Sequence, residues 1–395
     1  MLGDDSVTPT LDRPRVRRAA DALVASDEST LDLQVELSEI PAPPFAEERR
    51  AARMAELMAE AGLRDVGVDA AGNVVAHWPG ADEVPPLVVS AHLDTVFPAE
   101  TDVSVRREGD FLQGPGISDN ARGLATLLAI GRALETEGLT PRVPLLFAAT
   151  VGEEGIGDLR GVKQLFGASG ACPDASGFIS LDGAGLDRIV VRGIGSRRYR
   201  ITVRGPGGHS WVDWGTPNPI HALFDAGHRI AGLELDGSPQ LTLTVARTGG
   251  GKSVNAIPQE AWLELDTRCA DGARLDGLEQ RIRAEVVRAG PLHQELTWSV
   301  RVIGDRPPGS TNPDDPLVQA AVDATRAVGR QPVFASSSTD ANVPMSRGIP
   351  AITIGCGGEA GLAHTTDEWY RNVGGSAGVV RALYTVLLAA GLADS

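Results

Sequence analysis

The chain has 395 residues, of which 42% are hydrophobic and 4% aromatic, and its formal net charge is −16. This length exceeds what one hydrophobic core usually holds, so we expect two domains. The negative charge argues against partners such as nucleic acid or an anionic membrane, since both require a basic patch on the protein.

The N-terminal region is expected to be helical, with a proline-rich loop at residues 41–44. Residues 1–6 lack the basic and apolar regions of a signal peptide. No uncharged apolar stretch is long enough to cross a bilayer. These features predict a cytoplasmic protein.

The segment SAHLDT, residues 90–95, follows an apolar run that is typical of a buried strand. In an extended strand alternate side chains share a face, so His92 and Asp94 are expected to project together where the strand stops. A neutral imidazole is a good ligand for a divalent metal, and a nearby carboxylate can fix its tautomer. Alone, the pair is equally compatible with a hydrogen-bonded strand end.

Further acidic and histidine residues follow other apolar runs or glycine-rich loops: Asp119, Glu153, Glu154, Asp182 and His364. Strands separated by helical segments predict an α/β fold with a mostly parallel sheet, whose carboxyl ends share one edge. Each acid taken singly could be a helix cap or a turn residue. Gathered at one edge, they would repel one another unless cations were bound.

Two histidines and three carboxylates can make two metal sites, and these ligand types suit zinc, with cobalt or manganese as substitutes. Glu153 is not needed as a ligand in these two sites. A carboxylate next to a ligand but pointing elsewhere is well placed to take a proton from a metal-bound water, so Glu153 is the candidate general base. Cys356 has no obvious base partner and is interpreted as a buried filler.

The pattern changes after Asp182. Residues 199–204, 241–245 and 262–266 alternate as half-buried strands do, and helix-like stretches cover residues 220–231 and 278–287. This part is predicted to be an α+β insertion with an antiparallel sheet. The predicted domains are residues 1–192 and 310–395, which form one domain in two parts, and the insertion 193–309.

With these motifs, the chain resembles the M20 family of metallopeptidases and amidohydrolases, and within it the peptidase T branch. The matching segments run in family order across most of the chain: SAHLDT (90–95), GISDN (116–120), GEEG (152–155), LDG (181–183), GGHS (207–210) and AHT (363–365). Two further segments, GGHSW (207–211) and STDANVP (338–344), are similar to the peptidase T branch.

The resemblance implies a role for each matching residue. Asp119 would bridge two metal ions, with His92 and Asp182 completing one site and Glu154 and His364 the other. It also implies that Asp94 orients His92, that Glu153 is the general base, and that the peptide bond after Asp119 is cis.

The resemblance further implies that the insertion is a lid that also forms a homodimer interface. His209 would then stabilise an oxyanion, often in the partner's site. Asn255 and Arg268 would hold substrate carboxylate or peptide oxygens; a turn amide and a surface salt bridge are their alternatives. The remaining histidines match no motif and are interpreted as structural or exposed: His77, His221, His228 and His293.

The function that follows from the resemblance is hydrolysis of amide bonds in small peptides by an aminopeptidase or a di- or tripeptidase. The aspartate at position 182 favours this, because the family has glutamate there in carboxypeptidases and many deacylases. An N-acyl-amino-acid deacylase or carboxypeptidase is the alternative. A metal-free binding module is disfavoured, because every ligand position and the base are filled.

Overall fold

The computed structural model describes residues 10–290 and 295–393. Residues 1–6, on which the expected absence of a signal peptide depends, lie outside this range, and so does His293. The chain divides into two compact units. The first comprises Met1–Gly193 and Ser310–Ser395, and the second is Ile194–Gly309.

The first unit alternates strands and helices along the chain. Its helices are α1 Pro14–Ala25, α2 Asp27–Ser38, α3 Glu48–Glu60, α4 Ala121–Glu137, α5 Arg160–Leu165, α8 Pro316–Ala327, α9 Asn342–Ser346 and α10 Gly375–Ala390. Its strands are β1 Arg64–Val68, β2 Val74–Trp78, β3 Leu87–His92, β4 Arg106–Glu108, β5 Phe111–Gln113, β6 Leu145–Thr150, β7 Gly177–Leu181, β8 Arg188–Gly193, β16 Val333–Ser337, β17 Ala351–Ile354, β18 Glu359–Gly361 and β19 Trp369–Arg371.

The main sheet of this unit has the strand order β1-β2-β6-β3-β7-β17-β8, and β16 also pairs with β8. The four central strands β6, β3, β7 and β17 are parallel. Both flanks contain antiparallel pairs, β1 with β2, β2 with β6, and β17 with β8. The α/β fold is therefore confirmed, and its sheet is mixed, with a parallel centre.

The central strands are buried on both faces, which explains why their residues are mostly apolar. In β3, Val89 and Ala91 belong to the core beneath α1, α3, α4 and α10, whereas Val88 belongs to the core on the opposite face. Helices cover both sides of the sheet, so polar groups of the central strands can collect at its carboxyl edge.

The second unit is an antiparallel sheet with helices on one face. Its strands are β9 Gly195–Arg204, β10 Gly208–His209, β11 Leu241–Gly250, β12 Ala256–Ile257, β13 Glu260–Cys269 and β14 Thr297–Arg306, and its helices are α6 Pro219–Ala231 and α7 Gly272–Ala289. A short strand, β15 Gly309–Ser310, lies at the boundary. The order of the larger sheet is β11-β13-β9-β14. The sequence pattern predicted three of these four strands and missed β14.

Alternation along β9 explains why this sheet has one apolar and one polar face. Tyr199, Ile201 and Val203 are buried in the core formed with α6 and α7. On the other face Arg200 forms an ion pair of 2.8 Å with Glu264 on β13. An antiparallel sheet covered on one side shows this pattern. No helix in the described part of the chain combines the length and apolar character that crossing a membrane requires.

Candidate metal centre

Five side chains with nitrogen or oxygen ligand atoms meet at the carboxyl edge of the central strands. His92 is the last residue of β3, Asp182 directly follows β7, and Glu154 lies in the turn after β6. Asp119 precedes α4, whose N-cap is Asn120, and His364 lies between β18 and β19. The structure thus brings together all five residues that the sequence predicted as ligands.

These residues form two groups that share Asp119. One group is His92, Asp119 and Asp182, and the other is Asp119, Glu154 and His364; in each, the ligand atoms lie within 4.8 Å of one another. Oδ1 of Asp119 lies 2.9 Å from Nε2 of His92, and its Oδ2 lies 3.1 Å from Nε2 of His364. One carboxylate therefore faces two imidazoles, one with each oxygen.

The contacts of the histidines complete the two groups. Nε2 of His364 lies 2.9 Å from Oε1 of Glu154, and Nε2 of His92 lies 3.8 Å from Oδ1 of Asp182. The side chain of His92 is 2% exposed and that of His364 is 54% exposed. The centre is consequently closed at the β3 end and accessible at the His364 end.

The tautomer of His92 follows from its other ring nitrogen. Nδ1 lies 3.0 Å from the main-chain oxygen of Asp94, and a carbonyl oxygen can only accept, so Nδ1 carries the hydrogen. Nε2 of the neutral ring then presents a lone pair to the oxygens of Asp119. Two lone pairs at 2.9 Å need a proton or a metal ion between them. The donor set fits a divalent metal.

The pKa values report the same electrostatics. Burial alone would lower the pKa of His92, but Asp119 and Asp182 raise it well above its usual value. Hydrogen bonds to Asp119 and Glu154 raise the pKa of His364 to about 10. Burial would raise the pKa of Asp119, yet the two histidines hold it below its usual range. The carboxylates of the cluster thus favour a positive charge on the rings of both His92 and His364.

Asp94 acts through different atoms from those predicted. The sequence assigned the orientation of His92 to the Asp94 carboxylate, but the main-chain oxygen of Asp94 makes that contact, and Oδ1 lies 3.8 Å from Nδ1. The buried carboxylate instead accepts the main-chain N–H groups of Glu153 and Glu154, at 2.9 and 2.7 Å. Asp94 therefore fixes the turn that carries both glutamates.

Glu153 is buried and lies beside the centre without belonging to either group that shares Asp119. One of its carboxylate oxygens lies within 4.8 Å of ligand atoms of His92 and Glu154. Its main chain is held by Asp94. A carboxylate fixed next to the ligands, but outside the two groups, is suited to accept a proton there.

Glu368 is a buried residue of the centre that the sequence did not reveal. Its Oε1 accepts the N–H groups of Ser118 and Asp119, at 2.8 and 2.9 Å, and its Oε2 accepts that of Gly116 at 3.1 Å. Burial raises its pKa to about 7, although these hydrogen bonds lower it. Glu368 thus holds the loop that presents Asp119. The peptide bond between Asp119 and Asn120 is cis, as predicted.

Asp340 is a second buried acid behind the centre. Its Oδ2 accepts a hydrogen bond of 2.5 Å from the hydroxyl of Thr150, the last residue of β6. Burial raises the pKa of Asp340 to about 6. The sequence marked residues 338–344 as similar to the peptidase T branch but assigned no role to Asp340.

His209 and Asn255 lie close together in the second unit. β10, which ends at His209, pairs with β12, and the N–H of Ser210 donates to the main-chain oxygen of Asn255. Nδ1 of His209 accepts the N–H groups of Trp211 and Val212, at 3.2 and 3.4 Å. In the neutral ring the hydrogen is then on Nε2, which leaves an exposed donor.

Arg268 does not lie beside this pair. It is the ninth of ten residues of β13, so roughly 27 Å of strand separate it from the end of β13 nearest Asn255. Its guanidinium pairs with Asp266 at 2.8 Å. The salt bridge that the sequence allowed as an alternative is present.

The other described histidines and Cys356 agree with their sequence interpretation. His77, His221 and His228 are exposed. Cys172, Cys269 and Cys356 are buried and free. Burial raises the pKa of Cys356 to about 11, so its thiol is neutral at ordinary pH.

The fold and this cluster define an α/β enzyme with a candidate metal centre. Residues 88–389 match the sequence profile of Peptidase family M20/M25/M40, and the chain belongs to that family. It is therefore a hydrolytic enzyme, a peptidase or amidohydrolase, and enzymes of this family are metal-dependent. The family resemblance predicted from the sequence is confirmed.

Related proteins align with most of this chain. Succinyl-diaminopimelate desuccinylase of Bordetella petrii is 29% identical over 297 residues, which are 69% of this chain and 74% of that protein. The uncharacterized protein YqjE of Bacillus subtilis is 25% identical over 316 residues, or 77% of this chain and 81% of that one.

Solved structures share the fold. A tripeptidase from Staphylococcus aureus superimposes with a TM-score of 0.74 at 22% identity, over 91% of this chain and 98% of that one. Aminopeptidase PepT from Bacillus cereus gives a TM-score of 0.71 at 21% identity, over 92% and 98% of the two chains. At these identities the likeness concerns the fold, and function must be argued from the site.

Proposed function

We propose that this protein hydrolyses amide bonds of small peptides with a free amino terminus, using two divalent metal ions, most simply zinc. One observation carries the proposal: Asp119 faces both His92 and His364, one with each oxygen. A single carboxylate that faces a different imidazole with each oxygen is suited to serve two neighbouring cations.

In this proposal His92, Asp119 and Asp182 would hold one ion, and Asp119, Glu154 and His364 would hold the other. These are nitrogen and oxygen donors, which suit zinc, with cobalt or manganese as substitutes. When bound, such ions supply Lewis acidity, which activates the scissile carbonyl and the attacking water.

Glu153 then accepts the proton of the attacking water and passes it to the leaving nitrogen. Its burial keeps competing water away, and the hydrogen bond from its main-chain N–H to Asp94 fixes its backbone. A base must lie within reach of the proton that it takes, and the position of Glu153 next to His92 and Glu154 supports this role.

One observation supports a peptidase: position 182 carries aspartate, as expected for the amino- and dipeptidase branches of the family. The desuccinylase relative supports a second candidate, an N-acyl-amino-acid deacylase. Both activities would use the same metal centre. They differ in the substrate: the peptidase cleaves peptides with a free amino terminus, whereas the deacylase removes an acyl group from an amino acid.

His209 is proposed as an oxyanion donor supplied across a homodimer, as the family resemblance implies. The exposed Nε2–H that follows from its contacts supports a donor role. Asn255, which lies next to it, is proposed to bind substrate oxygens. Arg268 is proposed as a further substrate-binding residue, which would have to exchange its ion pair with Asp266 for the substrate.

The test compares matched substrates with the protein loaded with zinc, cobalt or manganese. Dialanine and trialanine are assayed against the same peptides blocked by N-acetyl or N-succinyl groups, and the released amine is quantified. We expect the free peptides to be cleaved faster. Faster cleavage of the blocked compounds at their acyl group would establish the deacylase instead, and release of the C-terminal alanine from the blocked peptides would indicate a carboxypeptidase.

Glu153→Gln, purified in parallel and loaded to the same metal content, is the control for contaminating peptidases. Activity that persists in this variant belongs to a contaminant or to another base. A fully loaded parent protein that cleaves no member of the panel would contradict the proposed function.

A further inference from the structure

A cavity of about 550 Å³ opens beside the candidate metal centre within the first unit. Asp119 and Asp182 line one part of it. Its other walls come from β8, β16, β17 and the glycine-rich loop around Gly358. A volume of this size is typical of sites for small molecules. A substrate whose amide lies at the centre can therefore extend a group into this space.

The strand pairing places an arginine in this cavity. Arg188 and Val190 on β8 line it, whereas Ile189 between them is buried in the core. Thr353 on β17 stands opposite Val190, and Ser337 ends β16. The lining thus combines one guanidinium with hydroxyl groups.

The guanidinium of Arg188 is uncommitted. Arg50, Arg122 and Arg381 are buried and donate to main-chain oxygens, whereas Arg188 makes no side-chain hydrogen bond or ion pair to any residue in the described ranges. Glu359 also lines the cavity, yet it does not pair with Arg188. The donors of Arg188 are therefore available to a ligand.

Charge decides which ligand is favoured. Among the described residues that line the cavity, Arg188 is the sole cation, while Asp119, Asp182 and Glu359 are acids. Asp119 and Asp182 are directed to the metal centre. Arg188 is therefore the cation that selects which group of the substrate binds in the rest of the cavity. A guanidinium fork matches a carboxylate with two parallel hydrogen bonds, and a neutral group gains less from it.

We propose that this cavity is a subsite for a second carboxylate of the substrate, bound by Arg188. The proposal rests on the proposed amide hydrolysis at the neighbouring centre and narrows its substrate class. The carboxylate could be the side chain of an aspartyl or glutamyl residue or the far end of a dicarboxylic acyl group such as succinyl. Both kinds of substrate present the same carboxylate group. Hydrolysis of matched substrates of each kind shows which one the subsite binds.

The experiment compares acids with their neutral amides. One arm uses dipeptides that contain glutamate at either position, each matched with glutamine. The other uses N-succinyl-alanine matched with N-succinamoyl-alanine. For each pair the ratio of kcat/KM between acid and amide is measured in the parent, Arg188→Gln and Arg188→Lys.

We expect the parent to prefer the acid of at least one pair by about tenfold or more, as one charge-assisted interaction supplies. Arg188→Gln should bring that ratio to about one, and Arg188→Lys, which keeps the charge but loses the fork, should be intermediate. The pair that shows the preference identifies the source. A parent without preference in any pair, or an unchanged ratio in Arg188→Gln, would overturn the proposal.

Arg192→Gln is the matched control. Arg192 lies on the same strand, is also exposed, and does not line the cavity, so its loss changes the net charge equally. It should keep the parental ratio. An equal fall of the ratio in Arg192→Gln would assign the preference to long-range charge and refute the subsite.

A binding measurement separates this proposal from the proposed function. Glutarate and its monoamide are titrated by calorimetry into metal-loaded parent and Arg188→Gln protein, which requires no turnover. Tighter binding of glutarate, by about tenfold and lost in Arg188→Gln, supports the subsite even if no amide is cleaved. Equal affinity of both proteins for glutarate contradicts it even if peptides are cleaved.

Discussion

Replacing Glu368 tests whether its hydrogen bonds fix the loop that carries Asp119. Glu368 is 1% exposed, and its carboxylate accepts the main-chain N–H groups of Gly116, Ser118 and Asp119. Glu368→Gln keeps the shape of the side chain and one acceptor oxygen. The amide nitrogen must then face an N–H group, most readily that of Gly116, which makes the longest of the three bonds.

The expected cost follows from these contacts. A hydrogen bond to a charged acceptor contributes about 1.5–3 kcal/mol, and a buried donor left without a partner costs about 1–3 kcal/mol. Glu368→Gln loses one such bond and weakens two, but it also removes the cost of burying a charge, which outweighs these hydrogen bonds in the raised pKa of Glu368, and it relieves repulsion with Asp119. These opposing contributions are of similar size, so we expect the free energy of unfolding to change by less than about 1 kcal/mol. Glu368→Ala leaves all three donors unpaired and should cost more.

The assay is urea unfolding of metal-depleted protein at pH 8, where the carboxylate is ionised in the parent. A second titration measures metal affinity, which should fall because the loop no longer fixes Asp119. Asp367→Asn, at an exposed neighbouring position, is the control and should unfold like the parent. A Glu368→Gln protein that binds metal as tightly as the parent, or a Glu368→Ala protein that is as stable as the parent, would refute the reasoning.

Three further predictions address the catalytic residues. Glu153→Gln should bind metal like the parent and lose about 100-fold or more of its turnover, and near-normal turnover at full metal content would remove Glu153 from the mechanism. Asp119→Ala should contain fewer than two metal ions per chain by elemental analysis and be inactive, so two tightly bound ions would contradict its bridging role. His209→Ala mixed with Glu153→Gln should regain activity through heterodimers with one intact site. Heterodimers that are demonstrated yet inactive would exclude action across the interface.

The parallel centre of the sheet could be predicted because burial on both faces leaves a clear signal. β3, β6, β7 and β17 are mostly apolar, and each either ends in a polar residue or is followed by a polar residue or a glycine. β14 carries a weaker signal, because its outward positions include Val302 and Ile303, which are partly exposed. Alternation is blurred in such a strand, so its pattern was missed.

The ligand positions were also accessible to sequence reasoning, since each lies just beyond a recognisable strand or loop. What the sequence did not give is the support behind them. Glu368 lies about 250 positions from the N–H groups that it accepts, and Asp340 is 190 positions from Thr150. The role of the Asp94 carboxylate depends on how the turn at Glu153 folds back. Such contacts depend on tertiary geometry and leave no periodic pattern.

Substrate specificity also depends on tertiary contacts that leave no pattern in the sequence. Family membership assigns the reaction class, because the ligands and the base occupy a few short motifs. The cavity beside Asp182 is built from separate segments, and the significance of Arg188 depends on which of the 52 acidic residues are near enough to neutralise it. An acidic peptide and a dicarboxylic acyl compound would both use this guanidinium. The ratio of acid to amide hydrolysis therefore reports on the specificity of the site whichever of the two proposed activities the enzyme has.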